Sequence, residues 1–550
     1  MPQAVDGDPR QVELSRTAGA FAPDRKGTDD AMTFVGKSFH LLRNLLALFG
    51  LLCLVGGLVA AVLLLKSYQL PPRVLAMKVL EKTGLDASPL LAGMVAPDPL
   101  KPSGVRLPPY DDPAWAGPGA SKGRALPPFY YSPDGRAVPG LWLGPKEVAA
   151  HVRPQGLRAV PVSTARELMQ AISGAEPGDV ITLAPGSYRF DTRGIGIQRA
   201  GTAEWPIQVR AEVLGQVRLE LNSLEGFVVD APFWVFENLE IEGVCKNHGS
   251  CEHAFHVVGR GRGFVLRNSR VHEFNAMIKG NGLDSREGGR NFPDGALIEG
   301  NSFYNSTVRD TSSPVVPIDA VGVDDWTIRE NFFADYAKGG GDRISTAAFI
   351  KGNASRGVFE NNLVVGEYAH AGGVRLGLSF GGGGTSKGAS RQKDNTVEHT
   401  DGIMRNNVIL YTSDVGIYLN KSRNTQVLNN LLFKTSGIDV RFDESTAVVK
   451  NNLLDGKIRE RDGGFALMEN NLTLAGGLWG KSFTDLFENP GEGRLKLVDA
   501  RPLAGKGLPN EHVRFDFLNA PRKEAPDLGP FELVDGEGGC DLFALPQALK

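Results

Sequence analysis

The chain has 550 residues, with 60 Lys and Arg against 63 Asp and Glu, a net charge of −3, 68 glycines and 34 prolines. A near-neutral balance with no basic run argues against nucleic acid as a partner. The length leaves ample chain for a large core, and a repetitive fold can absorb far more residues than an ordinary domain.

Residues 1–40 are polar and read as a cytoplasmic tail. Leu45 to Leu65 is a run of 21 residues without a charge, enough to cross ~30 Å of hydrocarbon at ~1.5 Å per residue. The 44 residues before it are too many for a cleavable signal peptide. Segment 41–66 is therefore expected to be a transmembrane signal anchor. This would make the protein single-pass in the cytoplasmic (inner) membrane, with its bulk in the periplasm or outside the cell. Flanking charges (Arg25, Lys26, Lys37 and Arg43 before; Lys66, Arg73, Lys78 and Lys82 after) do not fix orientation. Segment 67–162 is proline-rich and reads as a stalk and wrapping. Ser163 to Ile172 has the cap and spacing of a short amphipathic helix, with Glu167 in its first turn.

From Phe236 onward one phrase recurs: a polar residue, one or two asparagines, then an apolar stretch. It reads FENLEI, LRNSRV, EGNSFY, RENFFA, ENNLVV, RNNVIL, LNNLLF, KNNLLD and, more weakly, ENNLTL. The asparagines at 238, 268, 301, 331, 361, 406, 429, 451 and 470 lie 19 to 45 residues apart. A β-rich, glycine-punctuated repeat of ~20–30 residues is the mark of a solenoid. The longer spacings then carry loop insertions. The fold class predicted is all-β, a right-handed parallel β-helix over 163–500 with a closing segment over 501–550. Asn301, Asn331, Asn361, Asn406, Asn429 and Asn451 are expected to stack at one corner.

The loop CKNHGSC, beside His253, admits two readings. Cys245 and Cys251 can form a disulfide, which suits an oxidising compartment. Alternatively, Cys245, His248, Cys251 and His253 can hold a metal, although the spacing matches no common zinc pattern. The disulfide is the favoured expectation.

Alternate side chains of stacked strands point outward, so function should follow an outward column. Aligning GVRLG at Gly373, GIYLN at Gly416 and GIDVR at Gly437 with AAFIK at Ala347 and NAMIK at Asn275 gives two columns. One carries Met277, Pro317, Phe349, Arg375, Tyr418 and Asp439. The other carries Lys279, Asp319, Lys351, Gly377, Asn420 and Arg441. Such a mixture suits either an acidic-sugar groove or a solvated face. The run FGGGGT at Phe380 reads as a hinge or lid beside Arg375, or as a plain loop.

The opening ELMQAISGAEPGDVITLAPGSY and the closing RLKLVDARPLAGKG with PDLGPFE resemble those of pectate-lyase-like β-helix proteins. With the Asn phrases, the likeness spans roughly Ser163 to Glu532. Within it, AFIKGN, VFENNLV and GGVRLGL resemble the arrangement in chondroitinase B-like polysaccharide lyases. That resemblance implies Lys351 as the base that removes the proton α to a uronate carboxylate. It implies Arg375 as the residue serving the leaving oxygen. Lys279, Asp319, Tyr418, Asn420, Asp439 and Arg441 would then contact substrate. The family commonly uses Ca²⁺, but residues 345–350 (STAAFI) lack its acidic ligands. Asp319, Asp342 or Glu367 would have to substitute, or Arg343 would do the neutralising in place of the ion. The expected function is lyase-type β-elimination on an anionic polysaccharide. The alternatives are a non-catalytic glycan- or envelope-binding solenoid, and a glycoside hydrolase or epimerase on the same fold. Oligomeric state is left open.

Overall fold

The computed structural model describes residues 43–53, 55–57, 129–131, 137–139, 158–212, 215–474, 481–518, 520–534 and 537–542. The chain divides into two compact units, Met1–Tyr68 and Gln69–Lys550. In the first, residues 43–53 and 55–57 are helical. Leu46, Phe49 and Leu52 there are each more than 60 % exposed. Among the described residues no helix is long and apolar enough to cross a membrane. The rest of the expected span, and the tail before it, lie outside them.

The second unit is built from three long parallel sheets of 12, 11 and 10 strands. The chain visits first, second and third sheet in turn and then returns one coil further along. Sequence alternation explains the stacking. In the first sheet Val209, Phe236, Leu266, Ile298, Ile328 and Phe359 are register partners on successive strands, and all are fully buried. One apolar residue per coil at one position fills the inside of the solenoid, while its neighbours in sequence face out. Strand Arg158–Val162 already pairs in parallel with Asp179–Leu183, so the first sheet begins before the helix.

That helix spans Ala165–Ser173. The Thr164 hydroxyl accepts from the Glu167 amide, and the Glu167 carboxylate accepts from the Thr164 amide. Its buried face, Leu168 and Ile172, packs on the strands of the first coil, covering an apolar end that would otherwise meet water. Within the expected stalk, Phe129–Tyr131 and Ala137–Pro139 pair as an antiparallel hairpin.

The asparagine corner is real, but it contains two columns one residue apart. Asn301, Asn331, Asn362, Asn407, Asn430 and Asn452 form the stack. Each donates its backbone N–H and side-chain Nδ2 to the Oδ1 of the next, at 2.8–3.1 Å, ending on Asn471. The residues just before them (Asn361, Asn406, Asn429, Asn451 and Asn470) have φ of 51–58°, the left-handed turn that asparagine tolerates. Asn361, Asn406, Asn429 and Asn451 are therefore turn residues, not members of the stack that holds Asn301 and Asn331. The double-asparagine phrases hid the offset, because either residue satisfies the repeat.

The outer faces of the sheets differ. That of the first is lined by ion pairs, Arg210–Glu237–Arg267, Glu299–Arg329 and Glu360–Arg405. That of the second is covered along its later coils. Phe332, Leu363, Val408, Leu431 and Leu453 bury against Phe483 and Phe487 and against Phe517 and Phe531 of the closing segment. This segment also takes hydrogen bonds from the turn asparagines, as Asn406 Nδ2 donates to Phe515 O and Asn451 Nδ2 to Leu508 O, both at 2.8 Å. The early coils of the second sheet carry Arg218, Glu240, Glu242 and Arg270, and the third sheet presents a mixed polar face.

Candidate functional site

Two outward columns run along the third sheet. The first passes through His256, Lys279, Asp319, Phe349, Ser379, Tyr418, Asp439 and Arg459. The second holds Asn281, Val321 and Lys351, then Asn420, Arg441 and Arg461. The sequence alignment thus placed Phe349, Tyr418 and Asp439 together correctly, and likewise Lys351, Asn420 and Arg441. Lys279 and Asp319 belong to the first column, two residues from where that alignment set them.

Arg375 is a correction. Its register partner is Ser345, while Phe349 pairs with Ser379, so Arg375 lies four residues from the functional column. It is fully buried. Its guanidinium lies 3.5 Å from the buried carboxylate of Asp335 and donates to the carbonyls of Gly372, Gly366 and His370. An arginine committed in this way holds loop backbone. The reason is a double frame. Strand Val374–Phe380 contains both GVRLG and GLSFG, which match the repeat equally well, and the structure uses the second.

Lys351 ends strand Ile344–Lys351 and is half-buried. Its Nζ sits 4.1 Å from the centroid of Phe349 and 3.5 Å from the carbonyl of Gly383. Burial, and then the nearby Lys279, draw its pKa below the usual lysine range, although Asp319 and Glu398 act the other way. The glycine run lies over Lys351 and not beside Arg375. A side chain at Gly381 would collide with the Asn420 carbonyl, and one at Gly382 would meet Lys351 Cδ. The buried Glu398 anchors the loop by accepting from Thr385 Oγ1 at 2.9 Å and from the Gly352 amide at 2.8 Å. The insertion after the run packs on the one after Gly282. Arg391 stacks 4.4 Å from the Phe292 centroid and pairs with Asp294. The two loops form a wall along one margin of the sheet.

Along the columns, Lys279 Nζ is 2.5 Å from Asp319 Oδ2. The Tyr418 hydroxyl accepts from Asn420 Nδ2 at 3.1 Å and from Arg441 NH1 at 3.2 Å. Burial raises the pKa of Tyr418, against the effect of Arg441, so its hydroxyl stays protonated. Arg441 pairs with Asp462, and Asp439 is clamped between Arg459 and Arg461. Ser379 and Glu398 were missed from sequence. The second glycine-bounded frame, Gly377 to Gly381, was the signal for Ser379.

A calcium ion does not fit beside Lys351. Ca²⁺ takes six to eight oxygens, several of them from carboxylates. Of the two carboxylates that act on Lys351, Asp319, the register partner of Phe349, is already paired with Lys279, and Glu398 accepts from Thr385 Oγ1 and the Gly352 amide. Asp342 pairs with Lys338 and lies with Arg343 at the other end of the strand, and Glu367 is fully buried. Cys245 and Cys251 form the disulfide, with Cα atoms 5.7 Å apart, so a metal site on these sulfurs is excluded.

Consecutive outer strands in fixed parallel register decide the architecture. The chain is a parallel β-helix. Several solved structures are similar in coil architecture. The pectate lyase Pel9A is 16 % identical over 69 % of this chain and 98 % of its own, with a TM-score of 0.46. A rhamnogalacturonan lyase is 14 % identical over 68 % and 96 %, with a TM-score of 0.39. An alginate lyase from Paenibacillus sp. str. FPU-7 is 17 % identical over 56 % and 99 %, with a TM-score of 0.35. No family model matches the chain, and no curated protein matches it by sequence.

Proposed function

We propose that this β-helix acts on an anionic polysaccharide by β-elimination, with the third-sheet face as its groove and Lys351 as the base. One observation carries the reading. Lys351 combines an outward position beside the column of Phe349 and Tyr418 with a desolvated amine of lowered pKa, the direction that suits a lysine to accept a proton. In the reaction, the C5–H proton of a uronate passes to the Lys351 amine. The electron pair forms C4=C5 as the C4–O bond breaks, and the leaving oxygen takes a proton. Tyr418, protonated and two strands along the stack, can supply it. Lys279 and Arg441 supply positive charge for the substrate carboxylates.

Screening the full-length protein against uronate polymers for the ultraviolet absorbance of unsaturated ends tests this. Activity that Lys351→Ala abolishes is expected. A second reading, a non-catalytic glycan-binding solenoid, draws on the internal pairing of Lys279, Asp439 and Arg441, and predicts binding without new absorbance.

The same reading places the β-helix outside the cytoplasmic membrane, tethered through 45–65. The uncharged run and the exposed Leu46, Phe49 and Leu52 support a lipid-facing helix, and the Cys245–Cys251 bond supports an oxidising compartment. Release of the protein from membranes by alkaline carbonate would count against the tether.

A further inference from the structure

Glu225, His253 and His256 stand at one end of the same sheet, one strand from Lys279. Glu225 and His253 are register partners on adjacent strands, and His256 pairs with Lys279. Two residues three apart would face opposite sides of a regular strand. Here the pairing skips Gly226 and Ala254, and a side chain at Gly226 would collide with the Ala254 carbonyl. This local irregularity brings both imidazoles to one side, with ring centroids 5.2 Å apart.

Each ring has one nitrogen engaged and one left over. His253 Nδ1 lies 3.2 Å from the carbonyl of Ala276, which can only accept, so this nitrogen carries the proton and Nε2 keeps its lone pair. His256 Nε2 lies 2.8 Å from Asn281 Oδ1, whose amide nitrogen is spent on the carbonyl of Gly282. Its Nδ1 is buried without a hydrogen-bond partner and faces Glu225 Oε2 at 3.2 Å. A lone pair thus points at a carboxylate oxygen, an arrangement that calls for a positive species between them. One ligand atom from each of the three residues lies within 4.8 Å of the others. A backbone carbonyl or side-chain oxygen behind each histidine is the support that metal-ligating imidazoles use to fix their orientation.

We infer that Glu225, His253 and His256 form a binding site for a divalent transition-metal ion of the zinc class. Two imidazoles and one carboxylate suit Zn²⁺ or Co²⁺ far better than Ca²⁺, which prefers oxygen alone. Three protein ligands leave a position open. This inference does not rest on the lyase reading.

The test titrates chelator-treated, full-length protein with ZnCl₂ by calorimetry, and with CoCl₂ for the visible bands of protein-bound cobalt. One equivalent of each is expected to bind. His253→Ala and Glu225→Gln should each weaken binding at least tenfold and change the cobalt spectrum. Asn281→Ala, which removes the oxygen behind His256 and no ligand, should weaken it by about tenfold. Glu242→Gln, in the separate Glu240, Glu242 and His272 group, should leave it unchanged. Glu225 is partly exposed, so Glu225→Gln carries the test if His253→Ala fails to fold. Absence of stoichiometric binding, or binding that survives both ligand substitutions, overturns the inference. In the first case a proton shared by His256 and Glu225 fills the gap instead.

Discussion

Lys351 and Arg375 sit on neighbouring strands of one sheet, and the sheet treats them in opposite ways. Arg375 is near the start of its strand, sealed under the loop from Gly366 to Gly372, with its donors directed at carbonyls and Asp335. Lys351 is at the end of its strand, under a glycine loop that adds one long contact from a carbonyl. A buried cation with committed partners is architecture. A desolvated one with few partners keeps chemistry in reserve.

The sharpest way to break this contrast is Arg375→Ala. It would leave Asp335 fully buried and deprived of its cation, and should cost ~3–5 kcal/mol of stability, read as a lower denaturant midpoint. Should the protein tolerate it and lose only activity, Arg375 would belong with the site after all.

The next test concerns the wall beside Lys351. His399 is fully buried, stacked 4.0 Å from the Phe380 ring, and its Nε2 accepts from the Gly357 amide. Burial, and then Arg356, hold its pKa down to about 3, from 6.5. A histidine depressed in the fold binds fewer protons there than in the unfolded chain. Its contribution is therefore complete above about 6.5 and is lost as pH falls towards about 3. Stability measured by urea unfolding should decline across that window, and His399→Phe should flatten the decline. An unchanged slope would mean that other groups govern acid sensitivity.

A smaller effect is expected at the asparagine corner. Asn430→Ala removes the Oδ1 that satisfies two donors of Asn407, and the Nδ2 donor to Asn452. Leaving such buried groups unmet costs ~1–3 kcal/mol. Asn429→Gly, at the left-handed turn position, should cost less, because glycine adopts φ of 55° freely and the Gly529 carbonyl that Asn429 Nδ2 meets still accepts from Arg522. Equal losses would refute the separation into two columns.

The smallest effect on stability, and the largest on activity, is expected for Lys351→Ala. Thermal unfolding should shift by less than about 1 kcal/mol, while elimination activity disappears. In the unaltered protein, activity should rise with pH as the amine loses its proton, with a midpoint below that of an ordinary lysine.

The sequence made the solenoid legible because its corner phrase recurs, and its end cap because Thr164 and Glu167 form a local motif. The disulfide was equally local. What remained hidden was register. A match of apolar and small residues repeats every two positions along a strand, so GVRLG and GLSFG compete, and no local signal says which one stacks on AAFIK. The same ambiguity misplaced Lys279, and the doubled asparagines, either of which satisfies the repeat, merged the two asparagine columns. The metal-site candidate was invisible for another reason. It joins Glu225 and His253 across strands through an irregularity at Gly226 that no periodic pattern can announce.

The asparagine stack also has a direction. Every member from Asn301 to Asn452 donates hydrogen bonds to the following coil and accepts them on its Oδ1 from the preceding one. On the early side the position passes to Ser269 and then Leu239, where the carboxamides cease. The two ends of the stack are thus chemically unlike, one closing on a serine hydroxyl and an apolar residue, the other on a carboxamide.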